Sequence, residues 1–280
     1  MKILITGRTG RLGSSLIKNA KDDILIIPSK KELDITNNHK FIKYLKLEQP
    51  DVVINTAAFN DLPLCESSME SAFRYNCFAV KNMAKNCNKY NIQFITFSTN
   101  YVFEGKQNEY IEEDKPNPIQ IYGISKLAGE YASLIYDTTT VIRTSSLYGL
   151  FGNNNFIDNI IKDSKSKDYV EVDNVQIINS TYTEDLSKAV LNLINYPTFK
   201  HNKIYHLINE GQHSWYELAK EVFDNLKIDI PLIPIDRKGE YNKVKRPLFS
   251  SLKNTRAREF KIVLPHWKDA VKSYLKEKYL

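Results

Sequence analysis

The run Gly7-Arg8-Thr9-Gly10-Arg11-Leu12-Gly13 lies between the apolar stretch Ile3-Leu4-Ile5 and a helical segment from Ser14 to Ala20. It restricts this chain to few folds. Glycines at such spacing let a strand turn tightly into a helix and let the backbone come close to a ligand. The helix that opens there offers unpaired N–H groups and the positive end of its dipole, which suit a dinucleotide pyrophosphate. The apolar opening is too short for a signal peptide and reads as the first strand.

Strand and helix signals then alternate. Strands are expected at Ile24–Ile27, Asp51–Asn55, Gln93–Phe97 and Thr140–Arg143, with helices at His39–Leu47, Ser67–Tyr90 and from near Tyr122 to Ile135. This order predicts right-handed βαβ units and a parallel sheet. After Tyr148 the pattern loosens into the Gly149–Asn155 loop. Helices at Phe156–Lys162, Thr183–Ile194 and Ser214–Leu226 follow, with a short strand at Lys203–Leu207 and a proline-punctuated stretch from Pro231 to Pro247. The expected fold class is α/β: a Rossmann-like doubly wound parallel sheet with a smaller C-terminal α/β substrate lobe. Residues 1–148 form the dinucleotide-binding domain, a segment near 170–195 returns to it, and 149–169 with 196–280 form the lobe.

The 280 residues suffice for one large domain or a domain and a lobe. No apolar run approaches the roughly 18 residues a membrane span needs. Cys65, Cys77 and Cys87 are odd in number and widely spaced. They signal neither a disulfide framework nor a metal site, and read as free thiols in the cytoplasm. The formal charge of +6 is spread over lysines interleaved with acids, densest from Lys238 to Arg246. No nucleic-acid-binding motif accompanies it.

Tyr122 and Lys126 stand four residues apart, on one face of a helix. A free phenol has a pKa of about 10 and is a poor acid at neutral pH; a nearby ammonium favours the phenolate. This pair suits proton transfer to an oxygen that receives a hydride, and the lysine can also bond a cofactor ribose. Ser98-Thr99-Asn100-Tyr101 follows the strand Gln93–Phe97 directly, where ligands bind in parallel sheets, and a hydroxyl there can hold a substrate carbonyl. The second strand runs into Pro28-Ser29-Lys30-Lys31, whose cations favour the 2′-phosphate of NADP; Glu32, one step on, would serve NAD.

With these residues the chain resembles the extended short-chain dehydrogenase/reductases, and within them the dTDP-4-dehydrorhamnose reductase family. The resemblance runs nearly its whole length. It is carried by Asn55-Thr56-Ala57-Ala58, Ser98 to Gly105, Tyr122 to Glu130, Arg143-Thr144-Ser145 with Tyr148-Gly149, and Asn154-Asn155-Phe156. In the second half Tyr205-His206-Leu207, Ser214-Trp215-Tyr216-Glu217 and Arg246-Pro247 add to it. The resemblance implies reduction of the 4-ketone of a nucleotide-diphosphate deoxysugar by NADPH, with NADH as a further donor, in cell-surface polysaccharide precursor synthesis. Tyr122 would protonate the alkoxide, Lys126 tune it and hold the nicotinamide ribose, and Thr99 orient the carbonyl. Gly7, Thr9, Gly10, Arg11, Leu12, Gly13, Ser29, Lys30, Lys31, Asp34, Ile35, Ala57, Ala58, Phe59 and Ser98 would contact the cofactor. Thr99, Asn100, Tyr101, Ser146, Asn155, Phe156, Trp215 and Arg246 would face the substrate.

The chain departs from that family's pattern in the sugar pocket. Asn100 stands for an acid, Ser146 for a tryptophan, Asn60 and Pro63 for a threonine and an aspartate. Asp173 to Thr181 replaces a D-Q-x-G-x-P-T run. A nucleotide-sugar epimerase of the same fold and a non-catalytic NADP-binding subunit, like the β subunit of methionine adenosyltransferase, stay open as alternatives. A monomer or homodimer acting on a small molecule, away from nucleic acid and membrane, is expected.

Overall fold

A computed structural model describes residues 1–196, 203–237, 240–241 and 244–280. Residues 238, 239, 242 and 243 of the basic run 238–246 therefore lie outside the described residues. Six parallel strands form the main sheet: β1 (Lys2–Thr6), β2 (Ile24–Ile26), β3 (Val52–Asn55), β4 (Gln93–Thr99), β5 (Thr139–Thr144) and β6 (Lys203–His206). Their spatial order is β2-β1-β3-β4-β5-β6. The chain moves outward from β1 to β2, then reverses to place β3 on the other side of β1. That reversal opens a crevice at the carboxyl ends of β1 and β3, where open α/β sheets bind ligands.

The strands are apolar on both faces because helices cover both. Ile3 and Ile5 point into a core shared with α1 (Arg11–Asn19) and α6 (Thr183–Ile194). Leu4, between them, points into the opposite core with α2 (Asn38–Glu48) and α3 (Val80–Lys89). Each such side chain, fully buried, contributes about 1.5–3 kcal/mol. A third core joins α5 (Phe156–Ser164), α7 (Trp215–Leu226) and α8 (Trp267–Lys278). Helix α4 (Ile121–Leu134) packs beside α3.

Three expectations need correction. The helix expected over Ser67–Tyr90 is divided into Met69–Phe73, a π-helical turn Arg74–Ala79, and α3. The wide turn serves Asn76, whose buried amide donates to the Phe59 carbonyl and Ser125 Oγ and accepts from Phe59 N. An extra residue in a turn of this kind is how helices re-aim one side chain. The segment near 170–195 is divided: its helix α6 packs with α1 against the sheet, whereas Val170–Asp173 pairs with Leu232–Ile235 in a separate ladder, and Lys203–His206, expected in the lobe, pairs with Thr140–Arg143. The proline-rich stretch thus holds an edge strand, where Pro234 forfeits no central ladder bond. Helix α8 carried no expectation. Among the described residues no helix is long and apolar enough to cross a membrane.

Candidate active site

The phosphate turn is held from below. Gly7 has φ +76°, and a Cβ there would lie 2.5 Å from Thr56 Oγ1; at Gly13 it would lie 2.3 Å from the Gly7 carbonyl oxygen. Thr56 Oγ1 donates to the Thr6 carbonyl at 2.6 Å, and Thr6 Oγ1 donates to Asn55 Oδ1 at 2.7 Å, so β1 and β3 are pinned where the turn begins. Helix α1 starts at Gly10 with no side chain capping it and no acid in its first turn. Its N–H groups are free to receive an anion.

Opposite the turn lies the end of β4. The Thr99 hydroxyl donates to Asn100 Oδ1 and accepts from Tyr101 N, both at 3.2 Å. Ser98 Oγ is buried without a partner. Gln120 caps α4 by accepting from Gly123 N. A Cβ on Gly123 would come within 2.1 Å of the Tyr101 carbonyl oxygen, so glycine is what lets the helix press Tyr122 against the β4 end. The Tyr122 ring lies edge-on to Tyr101 at 6.4 Å.

Burial acts on Tyr122 and Lys126 of α4. It raises the Tyr122 phenol well above its ordinary pKa, against an opposing hydrogen bond with Thr99. It lowers Lys126 from 10.5 to about 8, against the pull of Glu130 one turn on. Glu130 is itself committed to Arg143 on β5: the guanidinium donates to it at 2.7 Å and 3.0 Å, and both side chains are almost inaccessible.

These elements enclose a cleft of about 590 Å³. Of the residues expected to act, it gathers Gly10 to Gly13, Ala57, Ala58, Ser98 to Tyr101, Tyr122, Lys126, Ser146, Trp215 and Arg246. A chamber of about 920 Å³ adjoins it, sharing Arg11, Ser146, Trp215 and Arg246 and adding Asn155 and Phe156. Gly7 and Thr9 belong to the turn but do not line the cleft. Ser29, Lys30, Lys31 and Asp34 do not line it either; Lys30 Nζ sits 5.2 Å from the Tyr75 ring centre and Asp34 accepts from Thr36. Ile35 and Phe59 do not line the cleft either: the Ile35 side chain is buried in the core beneath the sheet, and the half-buried Phe59 ring stacks on Tyr75 at 6.1 Å. Asn155 has a structural duty too, capping α5 in a reciprocal box with Asp158 and donating to the Tyr274 hydroxyl.

Residues missed from sequence include Asn55, Thr144 and Leu147, all on the cleft wall. Asn55 was legible as the last residue of a strand at the crevice. Arg11 was expected to contact the cofactor. Its guanidinium spans to the Asn153 and Asn154 carbonyls at 2.8 Å and 2.9 Å, tying the phosphate turn to the loop before α5.

The RmlD substrate binding domain family matches residues 1–280. The chain belongs to this family. It is 35% identical to the spore coat polysaccharide biosynthesis protein SpsK of Bacillus subtilis, over 99% of this chain and 98% of that one. It is 32% identical to the dTDP-4-dehydrorhamnose reductase of Aggregatibacter actinomycetemcomitans, over 97% of each. Among solved structures, the dTDP-4-dehydrorhamnose reductase of Bacillus anthracis in complex with NADP is similar with a TM-score of 0.93, at 29% identity and 99% coverage of both chains. The orthologous reductase of Clostridium acetobutylicum gives 0.92 at 32% identity, again over 99% of both.

Proposed function

We propose that this chain is an NADPH-dependent reductase of the 4-ketone of a nucleotide-diphosphate deoxysugar, acting in the cytoplasm on polysaccharide precursors. The observation that carries this reading is the convergence of Thr99, Tyr122 and Lys126 on the cleft that the phosphate turn opens into. The main sheet with its helices serves the cofactor, and the α5, α7 and α8 core backs the chamber for the nucleotide sugar. The free N–H groups of α1 suit the pyrophosphate of NADPH, and Lys30 and Lys31 its 2′-phosphate. When bound, NADPH supplies the hydride.

The chain's own residues do the rest. A phenol kept neutral by burial is the right form to meet a ketone, because it can give its proton to the alkoxide oxygen as negative charge develops. Lys126 then favours the phenolate left behind. Thr99 fixes the carbonyl oxygen beside Tyr122. The test is a panel of nucleoside-diphosphate 4-keto-6-deoxysugars assayed for net NADPH consumption. Tyr122→Phe should lower turnover roughly 10²-fold or more with NADPH affinity unchanged. No net consumption with any member of the panel refutes the reading, and equal turnover in the variant removes Tyr122 as acid.

A further inference from the structure

Gln176 joins the cleft to the chamber. It is 2% exposed and lines the chamber, and it falls on the glutamine of the family's D-Q-x-G-x-P-T run when that run is aligned on Thr181. Trp215 Nε1 donates to its Oε1 at 2.8 Å, and its Nε2 donates to the Pro247 carbonyl at 3.2 Å. An indole N–H can only donate and a carbonyl can only accept, so one orientation of the amide satisfies both. In that orientation Nε2 also faces the Tyr101 hydroxyl, at 3.4 Å, as donor. The Tyr101 oxygen therefore accepts from Gln176, and its own proton is left for a partner in the cleft that Tyr101 lines.

The three partners come from three different parts of the wall. Tyr101 stands at the β4 end against Tyr122, Trp215 opens α7 with its ring 4.5 Å from Phe156, and Pro247 follows Arg246. We propose that Gln176 is a specificity-determining positioning residue: it holds these walls together and turns the Tyr101 proton into the cleft, toward a hydroxyl or ketone oxygen of the sugar. This rests on the ketosugar-reductase reading. The backbone needs no help from the side chain, since Ile177 N donates to the Leu248 carbonyl at 2.7 Å and Ser250 N to the Ile177 carbonyl at 3.0 Å. Gln176→Leu keeps both of those bonds and nearly the same volume.

The test compares Gln176→Leu with the parent for the sugar KM and kcat, NADPH affinity and dTDP affinity by calorimetry. A second series repeats the comparison in a Tyr101→Phe background. The expected result is a sugar KM raised about tenfold, with NADPH affinity within about twofold. In the Tyr101→Phe background the same substitution should cost under about threefold, because its target hydroxyl is gone. Unchanged sugar kinetics overturn the proposal. So does an equal loss of NADPH and sugar affinity, which would mark general damage, and so does full multiplication of the two effects. If the parent consumes no NADPH with any ketosugar, the reductase reading fails by itself. The dTDP arm still tests the wall: weaker dTDP binding by Gln176→Leu supports the brace and unchanged binding overturns it.

Discussion

Lys126 sets stability against chemistry, and its titration exposes the conflict. Only 6% of it is exposed, and burial holds its pKa near 8 in place of 10.5. An ammonium with a folded pKa below its unfolded value costs stability wherever it is charged. Below pH 8 the folded chain bears the full cost. Between pH 8 and 10.5 the unfolded chain holds a proton that the folded chain has released, so stability climbs with pH across that window. The drop corresponds to roughly 3 kcal/mol. Lys126→Met keeps most of the stem and removes the charge. At pH 7, without cofactor, the variant should be more stable by up to about 3 kcal/mol, a rise of roughly 6–10 °C in Tm for a protein this large. At pH 10 most of the parent's penalty is gone, and the gap should shrink to under about 1 kcal/mol. Equilibrium urea unfolding of both proteins at the two pH values reads this directly. All other titrating groups cancel in the difference, as does any pH-independent packing change. A gap of the same size at pH 7 and pH 10 would refute the reasoning, whatever its sign. The same variant should lose turnover, the usual price of removing a strained functional group.

Three further outcomes are expected. Gly13→Ala would put a Cβ 2.3 Å from the Gly7 carbonyl oxygen, so α1 must shift off the turn; NADPH affinity should fall about tenfold or more by fluorescence titration, and an unchanged affinity would mean the turn does not hold the pyrophosphate. Replacing Lys30 and Lys31 together by alanine should weaken NADPH about tenfold more than NADH, whereas equal loss of both would remove these lysines as readers of the 2′-phosphate. Glu130→Gln strands the buried Arg143 guanidinium, whose Nη1 already lacks a partner, and should cost about 3–5 kcal/mol in urea unfolding. The Glu130→Leu, Arg143→Leu double variant should recover most of that loss, and a double variant as unstable as the single would deny that the unpaired charge is the cause.

Much of the sheet was legible because its strands are buried on both faces and read as unbroken apolar runs. Ile3-Leu4-Ile5 needs no alternation when Ile3 and Ile5 enter one core and Leu4 the other. What escaped was decided by partners distant in sequence. Val170–Asp173 is a strand because Leu232–Ile235 lies beside it, and no local pattern reports that. The π turn at Arg74–Ala79 exists because Asn76 must reach both Phe59 and Ser125. The run Ser214-Trp215-Tyr216-Glu217, first met as a family likeness, has a local physical meaning. It is a capping box, with Glu217 N donating to Ser214 Oγ at 3.0 Å and Ser214 N donating to Glu217 at 2.7 Å, and it fixes Trp215 as the first helical residue facing the ligand space.

The site was legible where backbone rules govern it and illegible where side chains reach across it. Glycines at 7, 10 and 13 and the four-residue step from Tyr122 to Lys126 are local statements, and local geometry obeys them. Sequence also showed that Asn100 stands where the family places an acid. It could not show that the Asn100 amide would donate to the Ser250 carbonyl and Oγ, at 3.1 Å and 2.9 Å. A carboxylate can only accept, so an acid at that position could not make the bond to the Ser250 carbonyl. The departure therefore changes how the β4 end is anchored to the 250 segment, one residue from Thr99. The same holds for Gln176, whose meaning lies in Trp215, Pro247 and Tyr101. Asn100 and Gln176 each bond side chains or carbonyls from distant parts of the chain, and substrate choice has to be sought in those bonds as well as in the substituted positions themselves.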